Sequence, residues 1–351
     1  MGAEDLELME IEAWSSMMAT VDVFVPCYNY GRFLRECVES ILTQEGVAVR
    51  VLILDDCSTD DSSDVGLALA AADPRVEYRR HRTNLGHIAN YNVGLAWAAA
   101  DYTLLLSADD ILPPGALARA AKVFDAHPNV GMVYGRHLMF AQVGDLPREA
   151  GTIGEPQCVV TPGEKWLERF CQTGVNHTAS GEVIVRTRHL RDVGGYTREL
   201  PHTADMELWM RFAARADVGF IDRIQVYYRR HDQCMSSRIA DTKVKEAIHY
   251  RLAFESFFGR DITLLVEGAR LQRLAKEAVA RNALDAAYGA FWSGDGRNCR
   301  ALMKFSLEAF REARTWPLYR RLRKLSWIGP RLSAAIRRAV HPFQSRSLRI
   351  G

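Results

Sequence analysis

The sequence predicts an α/β protein: a doubly wound, mainly parallel sheet followed by an α-helical appendage. Three observations carry that reading. Apolar runs of strand length alternate with helical patterns from Val21 to Ala126, and repeated βα units build parallel sheets. Two of those runs end in adjacent aspartates, Asp55-Asp56 and Asp109-Asp110, where an open α/β sheet collects its ligands. From Asp241 onward the pattern is helical.

Each element follows in order. Residues 21–25 read as the first strand, and 32–44 as a helix with Phe33, Leu34, Val38, Ile41 and Leu42 on one face. The strand 49–54 runs into Asp-Cys-Ser-Thr-Asp-Asp, a run with helix-start chemistry. A helix over 62–72 ends at Asp73-Pro74. A strand at 76–79, a helix at 87–99, a strand at 102–107 and a helix at 114–126, begun by Pro113-Pro114, complete the alternation. Beyond Val130 the pattern changes. Short strands at 131–134 and 137–142, a loop over 144–163, a helix at 164–172 and a strand at 181–186 come next. A helix at 203–215 follows, then two strands within 218–229 around a turn at Asp222-Arg223. Helices at 242–258, 264–287 and 297–314 close the pattern, the last two joined across Gly294-Asp295-Gly296 as a hairpin. The expected organisation is a flexible acidic leader (1–19), a first half-domain (20–130), a second (131–238) and a helical appendage (239–351).

Composition excludes several classes. With 48% hydrophobic and 25% charged residues in 351, the chain is ordinary for a globular protein. No apolar stretch approaches the ~20 residues that span a bilayer. The seven cysteines form no Cys-x-x-Cys pair and no zinc spacing, which favours a reducing, cytoplasmic setting. The net charge of +2 conceals a polarity: five acids fall in the first twelve residues, while 317–351 carries nine Lys/Arg and no acid. Trp316, Leu318, Tyr319, Leu322, Leu325, Trp327 and Ile328 interleave with those cations. A solvated helix end or a nucleic-acid arm shares that composition. The expectation is an anionic membrane surface, with the protein peripheral on the inner face and no nucleic acid bound.

Carboxylates around one crevice suit a divalent cation and a polyphosphate. The first strand ends in Pro26, Tyr28 and Asn29, without the Gly-x-Gly-x-x-Gly of a Rossmann dehydrogenase and without a P-loop. A tyrosine there can stack on a nucleobase, or serve as a rim aromatic.

The ordered motifs are Val-Pro-Cys-Tyr-Asn-Tyr (25–30), Leu-Asp-Asp-Cys-Ser-Thr-Asp (54–60), Asn84-Leu85-Gly86 with Asn90, and Leu-Ser-Ala-Asp-Asp (106–110). Val193-Gly194-Gly195-Tyr196, Ala204-Asp205-Met206-Glu207 and Tyr228-Arg229-Arg230-His231 continue the series. Over roughly 20–238 this set resembles family 2 inverting glycosyltransferases of the GT-A fold. The resemblance implies transfer of a sugar from a nucleoside diphosphate sugar, most often UDP-linked, to the hydroxyl of a saccharide or lipid-linked saccharide, with Mn2+ or Mg2+ as cofactor. It implies nucleotide contacts from Pro26, Tyr28, Asn29, Asp55, Asp56, Asn84 and Asp109. The metal ligands it implies are Asp109, Asp110 and His231, with Asp109 preferred over Asp110 as the direct one.

It also implies that Asp205 is the base that deprotonates the acceptor, with Glu207 as the second candidate. A helix N-terminus favours the ionised carboxylate such a base needs, although an ordinary first-turn aspartate has the same setting. Two departures stand out. Ser107 replaces the aspartate that usually stands two positions before Asp109, and Ala204 replaces the glutamate usual before Asp205. They leave open a catalytically silent protein that binds nucleotide sugar or serves as a scaffold.

Overall fold

The computed structural model describes residues 18–147, 157–178, 180–232, 234 and 242–329. The expected leader up to residue 17 and the tail beyond 329 lie outside them. The chain divides into two compact units: Met1–Leu167 with His177–Cys234, and Glu168–Asn176 with Met235–Gly351.

The first unit holds one eight-stranded sheet. Its strands are β1 (Thr20–Cys27), β2 (Ala48–Asp55), β3 (Val76–Arg80), β4 (Tyr102–Leu105), β5 (Val130–Phe140), β6 (Cys158–Thr161), β7 (Ile184–Arg186) and β8 (Asp217–Arg229), in the order β3-β2-β1-β4-β7-β5-β8-β6. Strands β3, β2, β1 and β4 are parallel, as their βα connections require. Strand β7 runs antiparallel to both β4 and β5, and β6 antiparallel to β8. The helices are α1 (Gly31–Leu42), α2 (Ser62–Ala72), α3 (His87–Trp97), α4 (Ala116–Ala126), α5 (Gly163–Thr173), the short α6 (Leu190–Val193) and α7 (Ala204–Ala213). Val23, Val25, Val51 and Ile53 of the central strands pack with Leu34, Val38 and Ile41 of α1 in the core.

Three expectations are corrected. The pair of strands around Asp222-Arg223 is one strand, β8. Tyr134 of β5 pairs with Phe220 and Arg136 with Ile224, so the intervening residues bulge instead of turning the chain. The loop over 144–163 contains the edge strand β6, whose four residues are too few for a periodic signal. The two strands expected in 131–142 are likewise one, β5.

Small residues set the spacing near the crevice. A Cβ on Gly94 of α3 would lie 2.2 Å from the Phe24 ring of β1, so only glycine lets this helix lie so close to the sheet. A Cβ on Gly195 would lie 2.3 Å from Asn92 Oδ1. The Asn92 amide reads the adjoining turn directly, accepting the Tyr196 N–H (2.7 Å) and donating to the Tyr196 carbonyl (2.9 Å).

The second unit is helical: α8 (Lys243–Asp261), α9 (Gly268–Trp292), α10 (Gly296–Ala309) and α11 (Pro317–Ile328). The α9–α10 hairpin turns at Gly294, whose φ of +84° belongs to glycine. Asp295 then caps α10, accepting the Asn298 N–H. Phe254, Phe257, Leu271, Leu284, Phe291 and Leu302 fill its core. No described helix is long and apolar enough to cross a membrane.

Candidate active site

Strand β1 delivers Pro26, Tyr28 and Asn29 to the crevice. The Tyr28 ring is 47% exposed. Asn29 adopts φ +60°, a conformation asparagine tolerates, and its Oδ1 accepts the Thr59 N–H at 2.7 Å. The Asn29 N–H donates to Ser58 Oγ at 3.0 Å. These bonds tie the first strand-end loop to the second.

Asp55 and Asp56 are both buried, and both carboxylates already have partners. Asp55 accepts from the Ser58 N–H (2.8 Å) and the Tyr78 hydroxyl (2.7 Å), with Arg80 at 3.8 Å. Asp56 accepts the Leu85 N–H (2.7 Å) and the Gly86 N–H (3.0 Å), and so shapes the turn that carries Asn84. Asn84 Oδ1 also accepts the Gly86 N–H.

The second aspartate pair is arranged differently. An isolated bridge pairs Ile111 with Tyr227 and draws the end of β8 against the segment after β4. Arg229 there donates from its backbone N–H to Asp110 Oδ1 (2.9 Å), from Nε to the Asp109 carbonyl (2.8 Å), and from a terminal nitrogen to Glu36 (2.7 Å). Its guanidinium lies 4.6 Å from the Phe33 ring centre and 4.5 Å from that of Phe140. Two residues on, His231 Nε2 is 3.1 Å from Asp109 Oδ2. Ligand atoms of Asp109, His231 and Cys234 all lie within 4.8 Å of one another.

Burial pushes the Asp109 carboxyl above its ordinary range against the pull of His231, and raises Asp110 further with help from the Asp109 charge. Adjacent buried carboxylates of this kind call for positive charge, and carboxylate, imidazole and thiol donors suit a divalent cation. Asp110, expected as a ligand, is outside this cluster and bonds to the Arg229 backbone instead. Cys234 is the member the sequence reading missed. The signal was His231-x-x-Cys234, a spacing between unlike residue types that a search for cysteine pairs passes over.

Asp205 lies in the first turn of α7, half-buried, with Oδ1 accepting the Met206 N–H (2.7 Å) and Ser180 Oγ 3.5 Å from Oδ2. Glu207 has another fate. Its side chain is 0% exposed and accepts from Arg211, also 0% exposed, at 2.8 and 3.0 Å, and from Thr197 Oγ1 at 3.0 Å. Arg211 also donates to the carbonyls of Val193 and Gly195. The pair locks α7 to the Gly194-Gly195 turn.

Tyr91 of α3 packs edge-on against Tyr196, with ring centres 5.4 Å apart. Burial raises its hydroxyl well above the ordinary range, and the charges of Asp205 and Asp109 act in the same direction. The turn Ser180-Gly181 lies between the two carboxylate positions: Ser180 Oγ is 3.5 Å from Asp205 Oδ2, and a Cβ on Gly181 would lie 3.7 Å from Asp110 Oδ2. Sequence patterning marked Tyr91 only as a helix residue.

Residues 22–194 match the family model described as glycosyl transferase family 2. That segment belongs to the family. Among relatives, an uncharacterized protein of Mycobacterium tuberculosis (strain CDC 1551 / Oshkosh) is 29% identical over 229 residues, 60% of this chain and 67% of that protein. The chain spans only 36% of a Rickettsia felis glycosyltransferase, 23% identical over 223 residues and 63% of this chain. Among solved structures, S. aureus TarS 1–349 in complex with UDP-GlcNAc shares the fold with a TM-score of 0.64 and 19% identity, over 91% of this chain and 92% of that one. The family 2 chain described here thus has the GT-A architecture: a Rossmann-like sheet followed by a helical region.

Proposed function

We propose that this family 2 chain is an inverting glycosyltransferase that moves a sugar from a UDP-linked donor to an acceptor hydroxyl, using a divalent cation. The observation that carries the reading is the turn Ser180-Gly181, where Ser180 Oγ is 3.5 Å from Asp205 Oδ2 and a Cβ on Gly181 would lie 3.7 Å from Oδ2 of Asp110, the neighbour of Asp109 in the cation cluster. Cation site and base therefore serve one space. The related fold of TarS, solved with UDP-GlcNAc, supports a UDP-linked donor.

Residues 20–130 bind the nucleotide in this scheme. The exposed Tyr28 ring offers a stacking face to the base beside Pro26. Asp56 and Asp55 present the oxygen lone pairs left by their internal bonds, and Asn29 and Asn84 hold the loops in shape. Asp109, His231 and Cys234 hold the cation, with Asp110 behind them. That donor set suits Mn2+ better than Mg2+, which prefers an all-oxygen octahedron. When bound, the cation offsets charge developing on the departing diphosphate.

Residues 131–238 supply the acceptor side. Asp205 takes the proton of the acceptor hydroxyl as its oxygen attacks the anomeric carbon, in one displacement that converts an α-linked donor to a β-linked product. The start of α7 favours its ionised form. Glu207 is engaged with Arg211 and is not the base.

Turnover assays across a panel of nucleotide sugars, with product analysis, test this function. Heat protection by UDP should require Mn2+. A wild-type protein that turns over no nucleotide sugar yet binds UDP would favour the silent binding protein instead.

The helical unit adds a membrane partner to the proposal, at the cytoplasmic face. On α11, Arg320, Arg321, Arg323 and Lys324 are exposed, as are Ile328 and Trp327, the latter by 88%. Each such cation near an anionic surface contributes about 1 kcal/mol, fading with salt. The full chain should sediment with anionic vesicles at low salt and release at high salt, whereas a chain ending at Arg314 stays in solution and keeps its UDP binding. Indifference of both chains to vesicles removes the membrane from the scheme and leaves the catalytic proposal intact.

A further inference from the structure

One face of the sheet near Asp205 carries a second built arrangement that the steps above do not use. Glu182, in the 3-10 turn Ser180–Glu182, has a side chain only 1% exposed, and its Oε2 lies 3.0 Å from His137 Nδ1 on β5. A buried carboxylate is costly unless paired. Here it fixes the imidazole's orientation, directs a proton to Nδ1 and raises the histidine pKa above 6.5. Nε2 is then the remaining polar atom of a side chain that is 36% exposed.

Two residues along β5, on the same face by strand alternation, Met139 is 59% exposed. Tyr228 of β8 pairs in register with Met139, and its ring centre lies 6.5 Å from that of His137. The turn bearing Glu182 continues into the site. Ser180 Oγ is 3.5 Å from Asp205 Oδ2, and a Cβ on Gly181 would lie 3.7 Å from Asp110 Oδ2.

We propose that His137, Met139 and Tyr228 form the acceptor subsite, and that its occupant is a neutral saccharide. This inference rests on the glycosyltransferase reading. The apolar C–H face of a sugar ring lies on Tyr228 and Met139, while a ring hydroxyl bonds to His137 Nε2. Charge selects a neutral ligand over a phosphate or carboxylate: Glu182 balances His137, and Asp222 balances the adjacent Arg136. Aromatic lining with few fixed polar groups is the usual composition of a small-ligand site.

The test uses the full chain with UDP and Mn2+, titrated by saturation-transfer NMR with methyl β-glycosides of glucose, galactose, mannose and N-acetylglucosamine. At least one should bind the wild type. His137→Ala should weaken it by about 10-fold or more, and Met139→Ser, a change at an exposed position, by several-fold. UDP affinity, measured by calorimetry on the same samples, should stay unchanged. Equal glycoside binding by wild type and both variants, or none by the wild type, overturns the subsite while intact UDP binding preserves the donor reading. Absence of UDP binding by the wild type overturns both.

Discussion

The pairs Asp55-Asp56 and Asp109-Asp110 occupy comparable places, at or just beyond the carboxyl ends of the parallel strands β2 and β4, and meet opposite fates. All four carboxylate oxygens of the first pair accept hydrogen bonds from nearby loops and from Tyr78. In the second pair, Asp109 faces His231 and Cys234, and burial raises both carboxyls. One pair builds the crevice; the other is left short of positive charge. The difference teaches that an acid at a strand end is a ligand candidate only after its internal hydrogen bonds are known.

The largest effect that sharpens this contrast is expected at Asp109. Asp109→Ala should abolish Mn2+-dependent UDP binding in calorimetric titration while leaving the fold intact, because it removes a carboxylate whose burial is unfavourable. Wild-type affinity in both Asp109→Ala and Asp110→Ala would end the metal assignment.

A parallel contrast sits on α7. Asp205→Asn should lower turnover at least ~100-fold with UDP affinity near wild type, since asparagine keeps the shape and loses the base. Glu207→Gln should instead destabilise the fold, by about 3–5 kcal/mol in urea unfolding, because it leaves the buried Arg211 charge uncompensated. Severe loss of turnover in a stably folded Glu207→Gln, beside a mild loss in Asp205→Asn, reverses the two roles.

Next in size are the structural aspartates. Asp56→Ala orphans the Leu85 N–H and leaves the Gly86 N–H to Asn84 Oδ1 alone, and should cost about 2 kcal/mol by chemical denaturation. The same measurement on Asp109→Ala in metal-free buffer should show little change. Equal costs for the two would erase the distinction between the pairs.

The smallest effect concerns pH. Glu182 raises His137 above its ordinary 6.5, so the pair's contribution to stability is full below that value. It is lost as pH rises through the elevated folded pKa. With His137 36% exposed, the contribution should stay under about 1 kcal/mol. An NMR titration should find the imidazole pKa above 6.5 in the wild type and lower in Glu182→Gln; an unchanged value dismisses the coupling.

The sequence by itself determined the βα alternation, the positions of both aspartate pairs, the helical hairpin across Gly294 and the family motifs. Those features are local: periodicity and turn chemistry act over a few residues. It did not disclose the continuous β8, because a bulge and a turn share the same residue types at Asp222-Arg223. Nor did it separate the two aspartate pairs. The bonds that occupy Asp56 come from 29 and 30 residues away, and the histidine beside Asp109 from 122. Cys234, Tyr91 and the Glu207–Arg211 lock acquired their meaning only when the fold set what surrounds them. Hydrogen-bond partners and burial are properties of neighbours in space, and those neighbours were decided by the tertiary structure alone.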